Sequence, residues 1–125
     1  MTVRLIDDAR RMKYIVLLIG ILVLSSCKHD DTSQPYVKVY KTDDSIQCGN
    51  AGVELDVMVL ELINSGIDVV CSQKGHDGMG RPTVCGVGTG NINVYKINAV
   101  NLPDAESLGF ELVSNLSEYQ DQKCE

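Results

Sequence analysis

The order of apolar segments predicts a small α+β domain of the form βαββαβ, and three observations carry that prediction. First, Val37-Lys38-Val39-Tyr40-Lys41 is echoed by Ile92-Asn93-Val94-Tyr95-Lys96, both alternating and rich in β-branched residues as half-buried strands are. Second, each is followed by a connection, a glycine and another strand-like run: Gly66-Ile67-Asp68-Val69-Val70 and Gly109-Phe110-Glu111-Leu112-Val113. Third, the first connection is spaced as a helix. Leu55, Met58, Val59, Leu62 and Ile63 fall at i, i+3, i+4, i+7 and i+8 on one face.

Val53-Glu54-Leu55-Asp56-Val57 also alternates as a strand would, so length decides between the two readings. A segment from Val53 to Ser65 that ends at Gly66, a natural residue just past a helix C-terminus, fits a helix better. The second connection is shorter, with Pro103 at a helix-starting position, Ala105 and Leu108 on one side, and Gly109 closing it. Two strand-helix-strand units joined by a hairpin give the ferredoxin-like arrangement. In that arrangement Val37, Val39, Ile67, Val69, Ile92, Val94, Phe110 and Leu112 would face the helices. Lys38, Tyr40, Asp68, Asn93, Tyr95 and Glu111 would face away, with Tyr40 and Tyr95 side by side as a contact face or a cross-strand stabilising pair.

Five cysteines in 125 residues restrict the chemistry. With Cys27 set aside for the reason given below, Cys48, Cys71, Cys85 and Cys124 remain, an even number suited to disulfides in an exported protein. Cys48 follows the first strand and Cys85 precedes the third. Those strands are adjacent in the expected sheet, which favours a Cys48–Cys85 bridge. Cys71, at the end of the second strand, is a rival partner for Cys85, and it pairs with Cys124 only if the C-terminal tail folds back. No Cys-x-x-Cys occurs, and a metal site on Cys71, His76 and Cys85 would match no standard spacing and lack a fourth ligand.

The same sheet edge collects the glycine-rich loop from Gln73 to Gly90, with His76, Asp77, Arg81 and Thr89 as a candidate ligand edge. His76-Asp77 would suit a general base and its orienting carboxylate, but Ser72 and Thr89 are poor nucleophile candidates and an exposed turn histidine is the plainer reading. Gly86-Val87-Gly88-Thr89-Gly90 precedes a strand. A nucleotide-binding glycine loop would precede a helix, so this run reads as a turn. No catalytic residue, cofactor or metal is assigned.

The N-terminal segment reads as an address. Tyr14 to Leu24 is an eleven-residue apolar run behind Arg10, Arg11 and Lys13, and it ends in Ser25-Ser26-Cys27. A membrane span needs about 20 apolar residues, so this run is too short. Leu24-Ser25-Ser26-Cys27 resembles the lipobox of bacterial lipoproteins, which implies cleavage before Cys27 and lipid, palmitate included, on that residue. In that family a residue other than Asp after the cysteine, here Lys28, implies the outer membrane. Lys28-His29-Asp30-Asp31 is similar to surface-display tethers, but a solvated linker is the plainer reading. Met12 offers an alternative start. The expected organisation is a signal peptide over 1–26, a lipidated tether over 27–35, the domain over 36–116 and a tail over 117–125.

Charge narrows the partners. The chain carries 11 Lys or Arg against 17 Asp or Glu, a net charge of −6, which argues against a nucleic-acid binder because such proteins work by cationic neutralisation of phosphates. After cleavage the balance would be seven against fifteen. The reading that follows is an envelope lipoprotein in the periplasm with a small non-catalytic binding, sensing or structural domain. Its partners would be the membrane, through lipid on Cys27, and an envelope protein. The alternative is a small enzyme or metal-binding protein built on Cys71, His76, Asp77 and Cys85.

Overall fold

The computed structural model describes residues 35–124. The signal-like segment, Cys27 and the tether before position 35 lie outside the described residues, as does Glu125. The chain forms β1 (Tyr36–Thr42), α1 (Leu55–Asn64), β2 (Val69–His76) and β3 (Asn91–Asn98). A 3-10 turn over Ala99–Asn101 then leads into α2 (Leu102–Ser107), and the two-residue β4 (Glu111–Leu112) runs into a second such turn over Val113–Asn115. The four strands make one antiparallel sheet in the order β2-β3-β1-β4. This is a small α+β domain with two helices and two disulfides.

α1 forms where the apolar spacing predicts it and buries Met58 and Leu62, with Leu55 and Val59 packed beside them. Ile63, expected on that face, sits on its rim and is half exposed. Against α1 and α2 the sheet presents Val39, Tyr95 and Ile97, and the chain beyond adds Ile67 and Phe110 to the same cluster. The Tyr95 and Phe110 rings meet edge to face with centroids 5.9 Å apart.

The facing of β3 corrects the sequence reading. Tyr95 and Asn93 point toward the helices, whereas Ile92 and Val94 lie on the opposite face. The register explains it: Val39 pairs with Tyr95 and Tyr40 with Val94, so Tyr40 and Tyr95 occupy opposite faces and form no contact pair. Tyr95 is fully buried because its polar end is satisfied there. Its hydroxyl donates to the Leu55 carbonyl at 2.8 Å, and Asn93 Nδ2 donates to the Val53 carbonyl at 2.9 Å. Both bonds pin β3 to the start of α1.

β2 begins later than the sequence suggests and runs through His76, with a bulge at Val70 between Val69 and Cys71. Ile67 is buried but precedes the strand, and Cys71 lies within it. The sheet's second face is covered. Val113, Leu116 and Tyr119 pack there with Ile92, Val94 and Tyr40. The last segment, set apart in the sequence as a tail, returns across the strands to bond Cys124 to Cys71.

Candidate functional site

The loop cluster lies where β1 and β2 end and β3 begins. Two connections meet there, residues 43–53 and residues 77–90. They are zipped by backbone bonds: Gln47 N–H donates to the Val87 carbonyl at 2.9 Å, Gly86 N–H to the Gln47 carbonyl at 2.9 Å and Thr89 N–H to the Ser45 carbonyl at 3.1 Å. Cys48–Cys85 joins them covalently with a Cα separation of 5.0 Å. A cleft of about 150 Å³ between Asp43–Ser45 and Arg81 with Gly88–Asn91 is the concavity of this end.

His76, Asp77, Arg81 and Thr89 do converge. Arg81 grips Asp77 as a fork, Nη1 to Oδ1 at 2.8 Å and Nη2 to Oδ2 at 2.5 Å, and Met79 N–H adds a bond to Oδ1 at 3.0 Å. The Arg81 bond is the chief reason the Asp77 carboxyl is held below the ordinary carboxylate range, against the opposing effect of burial. His76 Nδ1 accepts from Gly78 N–H at 2.9 Å, so the ring hydrogen sits on Nε2, which donates to the Thr89 carbonyl at 2.9 Å. Both ring nitrogens are occupied. The 3.6 Å between Nδ1 and Asp77 Oδ1 is no hydrogen bond, so the pair is not arranged as a base and its orienter.

Gly90 sits at the centre of this cluster with φ +82°. A Cβ there would collide with Arg81, His76 and Asp77, so the close approach of these three side chains needs glycine.

The structure adds residues that sequence reasoning missed. Asp43 is 2% exposed, and its Oδ1 accepts from both the amide and the hydroxyl of Ser45, at 2.9 and 2.6 Å. Lys74 reaches its Oδ2 at 3.2 Å. Burial alone would push the Asp43 carboxyl up. The Ser45 and Lys74 bonds outweigh that effect and hold it below its usual range. The Ser45 hydroxyl is also hydrogen-bonded to that of Thr89, whose Oγ1 accepts from Asn91 N–H at 3.1 Å. A signal was present in the sequence. Asp43, Asp77 and Thr89 each cap the amide two residues on, the side-chain turn that Asp and Thr favour next to polar or glycine residues.

The proposed catalytic and metal groupings do not assemble. Cys71 and Cys85 are committed to different disulfides, with Cys124 and Cys48 respectively, and supply no thiolate beside His76. Among the described residues, no three His, Cys, Asp or Glu side chains converge as metal ligands do. The buried polar groups of this end hold its loops together, and beside the exposed Asp44, Asn50, His76 and Thr83 it displays three apolar side chains: Ile46, Met79 and Val84 are 38, 57 and 55% exposed.

A second concavity of about 400 Å³ lies on the other face, between the β1 edge at Val37 and Lys38 and the segment Leu112–Tyr119. Tyr40, beneath it, donates its hydroxyl to Glu111 at 3.0 Å, and burial followed by this bond pushes its pKa up to about 12. Set against family models, curated proteins and solved structures, the chain matches none.

Proposed function

We propose that the chain is a cell-envelope lipoprotein, anchored through lipid on Cys27, whose disulfide-clamped domain is a non-catalytic binding module that engages an envelope protein through its loop pole. One observation carries the binding reading: His76, Asp77 and Arg81 are held by hydrogen bonds within that pole, while Ile46, Met79 and Val84 face outward on the frame so braced. A preorganised surface with exposed apolar anchors suits binding, because little ordering remains to oppose association.

The anchor is supported by the apolar run Tyr14–Leu24 and the lipobox Leu24-Ser25-Ser26-Cys27. Lys28 after the cysteine supports an outer-membrane address facing the periplasm. Two disulfides fit that oxidising compartment. The element order and the strand order β2-β3-β1-β4 support a ferredoxin-like βαββαβ sandwich as the finer description of the fold.

A photo-crosslinking residue placed at Met79 or Val84 in the native envelope should give a discrete protein adduct. The same residue at Val100, beyond the opposite end of β3, should give none. No adduct from the pole, or equal adducts from Val100, would count against the reading. Separately, Cys27→Ser should leave an unprocessed precursor without acyl label, and normal processing of that variant would refute the anchor.

A further inference from the structure

We propose that the Cys71–Cys124 disulfide is a redox-sensitive latch, whose reduction by a dithiol frees residues 117–124 from the sheet and lifts Tyr119 off the face formed by Ile92 and Val94 while the rest of the domain stays folded. The inference rests on the geometry of the C-terminal strap and goes beyond the binding reading, on which it does not depend.

The strap has little besides its disulfide to hold it. After the Tyr119 N–H bond to the Leu116 carbonyl, no backbone hydrogen bond among the described residues ties positions 120–124 to the sheet. What remains is the Glu118 backbone packed closely on Gly78 and a few side-chain contacts. Gln73 Nε2 lies 2.7 Å from the Tyr119 hydroxyl, and Lys38 reaches Asp121 at 2.6 Å and the Gln122 carbonyl at 3.0 Å. The Asp121 side chain is 64% exposed, so its ion pair with Lys38 is screened and weak. Gln73 Oε1, buried beneath the strap, has no protein partner and would gain one from water if the strap lifted.

What the strap covers is apolar. Ile92 and Val94 are fully buried in a cluster with Val113, Tyr40, Leu116 and Tyr119, to which the strap contributes Tyr119. Ile92 and Val94 belong to β3, which is paired with β1 on one side and β2 on the other, so the sheet does not need the strap for its backbone bonds. The helix-side core, with Tyr95, Phe110 and Leu62, lies on the other face and is untouched by its removal. The cost of release falls on one face, and the gain is the freedom of the chain end.

The chemistry balances with a dithiol as reductant. One of its thiolates attacks a sulfur of the Cys71–Cys124 bond, which breaks, and the displaced cysteine leaves as a thiolate and takes up a proton. The second thiol of the reductant then attacks the mixed disulfide and releases the other cysteine. The protein has gained two electrons and two protons, and the reductant departs as a disulfide.

Limited proteolysis and hydrogen exchange on the full-length protein test the latch, with the oxidised form compared against protein reduced by dithiothreitol and alkylated. The Cys71→Ser/Cys124→Ser double variant, which retains Cys48–Cys85, isolates the strap bond. In both reduced and variant protein, proteolytic cleavage within residues 117–124 should accelerate at least tenfold and binding of a hydrophobic dye should rise, and in the variant β1 and β3 should remain the slowest-exchanging segments. An unchanged cleavage rate within 117–124 would overturn the proposal. So would loss of protection throughout the double variant, because the bond would then be a staple for the whole fold.

Discussion

The loop pole and the C-terminal strap each close on a disulfide, yet the two regions are held in different ways. Around Cys48–Cys85, backbone bonds from Gln47, Gly86 and Thr89, the Asp77–Arg81 fork and the buried Asp43 carboxylate all restrain the same loops. Around Cys71–Cys124 there are fewer: the Tyr119 ring with its bond to Gln73, the Glu118 backbone packed on Gly78, and Lys38 bonded to the exposed Asp121 and to the Gln122 carbonyl. Fixing each backbone residue of the strap costs about 1–2 kcal/mol, and a surface ion pair returns about 0–1 kcal/mol. The covalent bond therefore decides whether the strap is docked, whereas at the pole it reinforces an arrangement that other bonds already define.

The largest effects should come from removing either bridge. The bonded cysteines are 37 and 53 residues apart, for which loss of the cross-link is expected to cost about 4 kcal/mol each on chain entropy alone. Denaturant unfolding should show a loss of that size in Cys48→Ala/Cys85→Ala and a smaller one in Cys71→Ala/Cys124→Ala, where the freed strap regains chain entropy in the folded state. Limited proteolysis should separate them, with early cleavage near the C-terminus in the second variant alone. Early C-terminal cleavage in both would erase the distinction.

Asp43→Ala should come next, at about 2–3 kcal/mol by urea unfolding, because it strands the Ser45 amide, takes one bond from the Ser45 hydroxyl and removes the partner of Lys74. Tyr119→Ala should cost less, about 1–2 kcal/mol, since the ring is only partly buried against Gly75 and Ile92. A loss at Tyr119 equal to that at Asp43 would show that the strap is held by packing as firmly as the pole is held by its polar network.

How much of this was legible in the sequence depends on whether a signal was local. α1 could be read because its apolar residues repeat at helical spacing and stop at Gly66. The Cys48–Cys85 pairing followed from which strands are neighbours. The facing of β3 was not legible, because the strand is buried on both faces and Ile92, Val94, Tyr95 and Ile97 give no inside-outside contrast. Polar Asn93 looks like an outward residue until the Val53 carbonyl that satisfies it is known. The strap was hidden for a similar reason. Leu116 and Tyr119 are isolated apolar residues in a polar run, and only Cys124 hinted that the segment returns. At the pole, His76, Asp77, Arg81 and Thr89 could be gathered from the glycine-rich loop, but Asp43 and Lys74 depend on tertiary contacts over 31 positions.

Acid should produce the smallest effect and one confined to the pole. Asp43 and Asp77 have folded-state pKa values below their ordinary ones, so their contribution is complete above the unfolded carboxylate range, near pH 4. It is lost as pH falls through the lower folded values. Stability should be flat from about pH 7 to 5 and decline below about pH 4, with Arg81→Met reducing the Asp77 share of that decline. An unchanged acid slope in Arg81→Met would remove the fork from the account.

Peptide mapping under non-reducing conditions tests the account most directly, on protein whose free thiols are blocked as it is taken from the cell envelope. The expected result is two linked peptide pairs, Cys48 with Cys85 and Cys71 with Cys124, and no other. A Cys71–Cys85 pair, or four free thiols, would contradict the division of the molecule into a clamped pole and a latched strap.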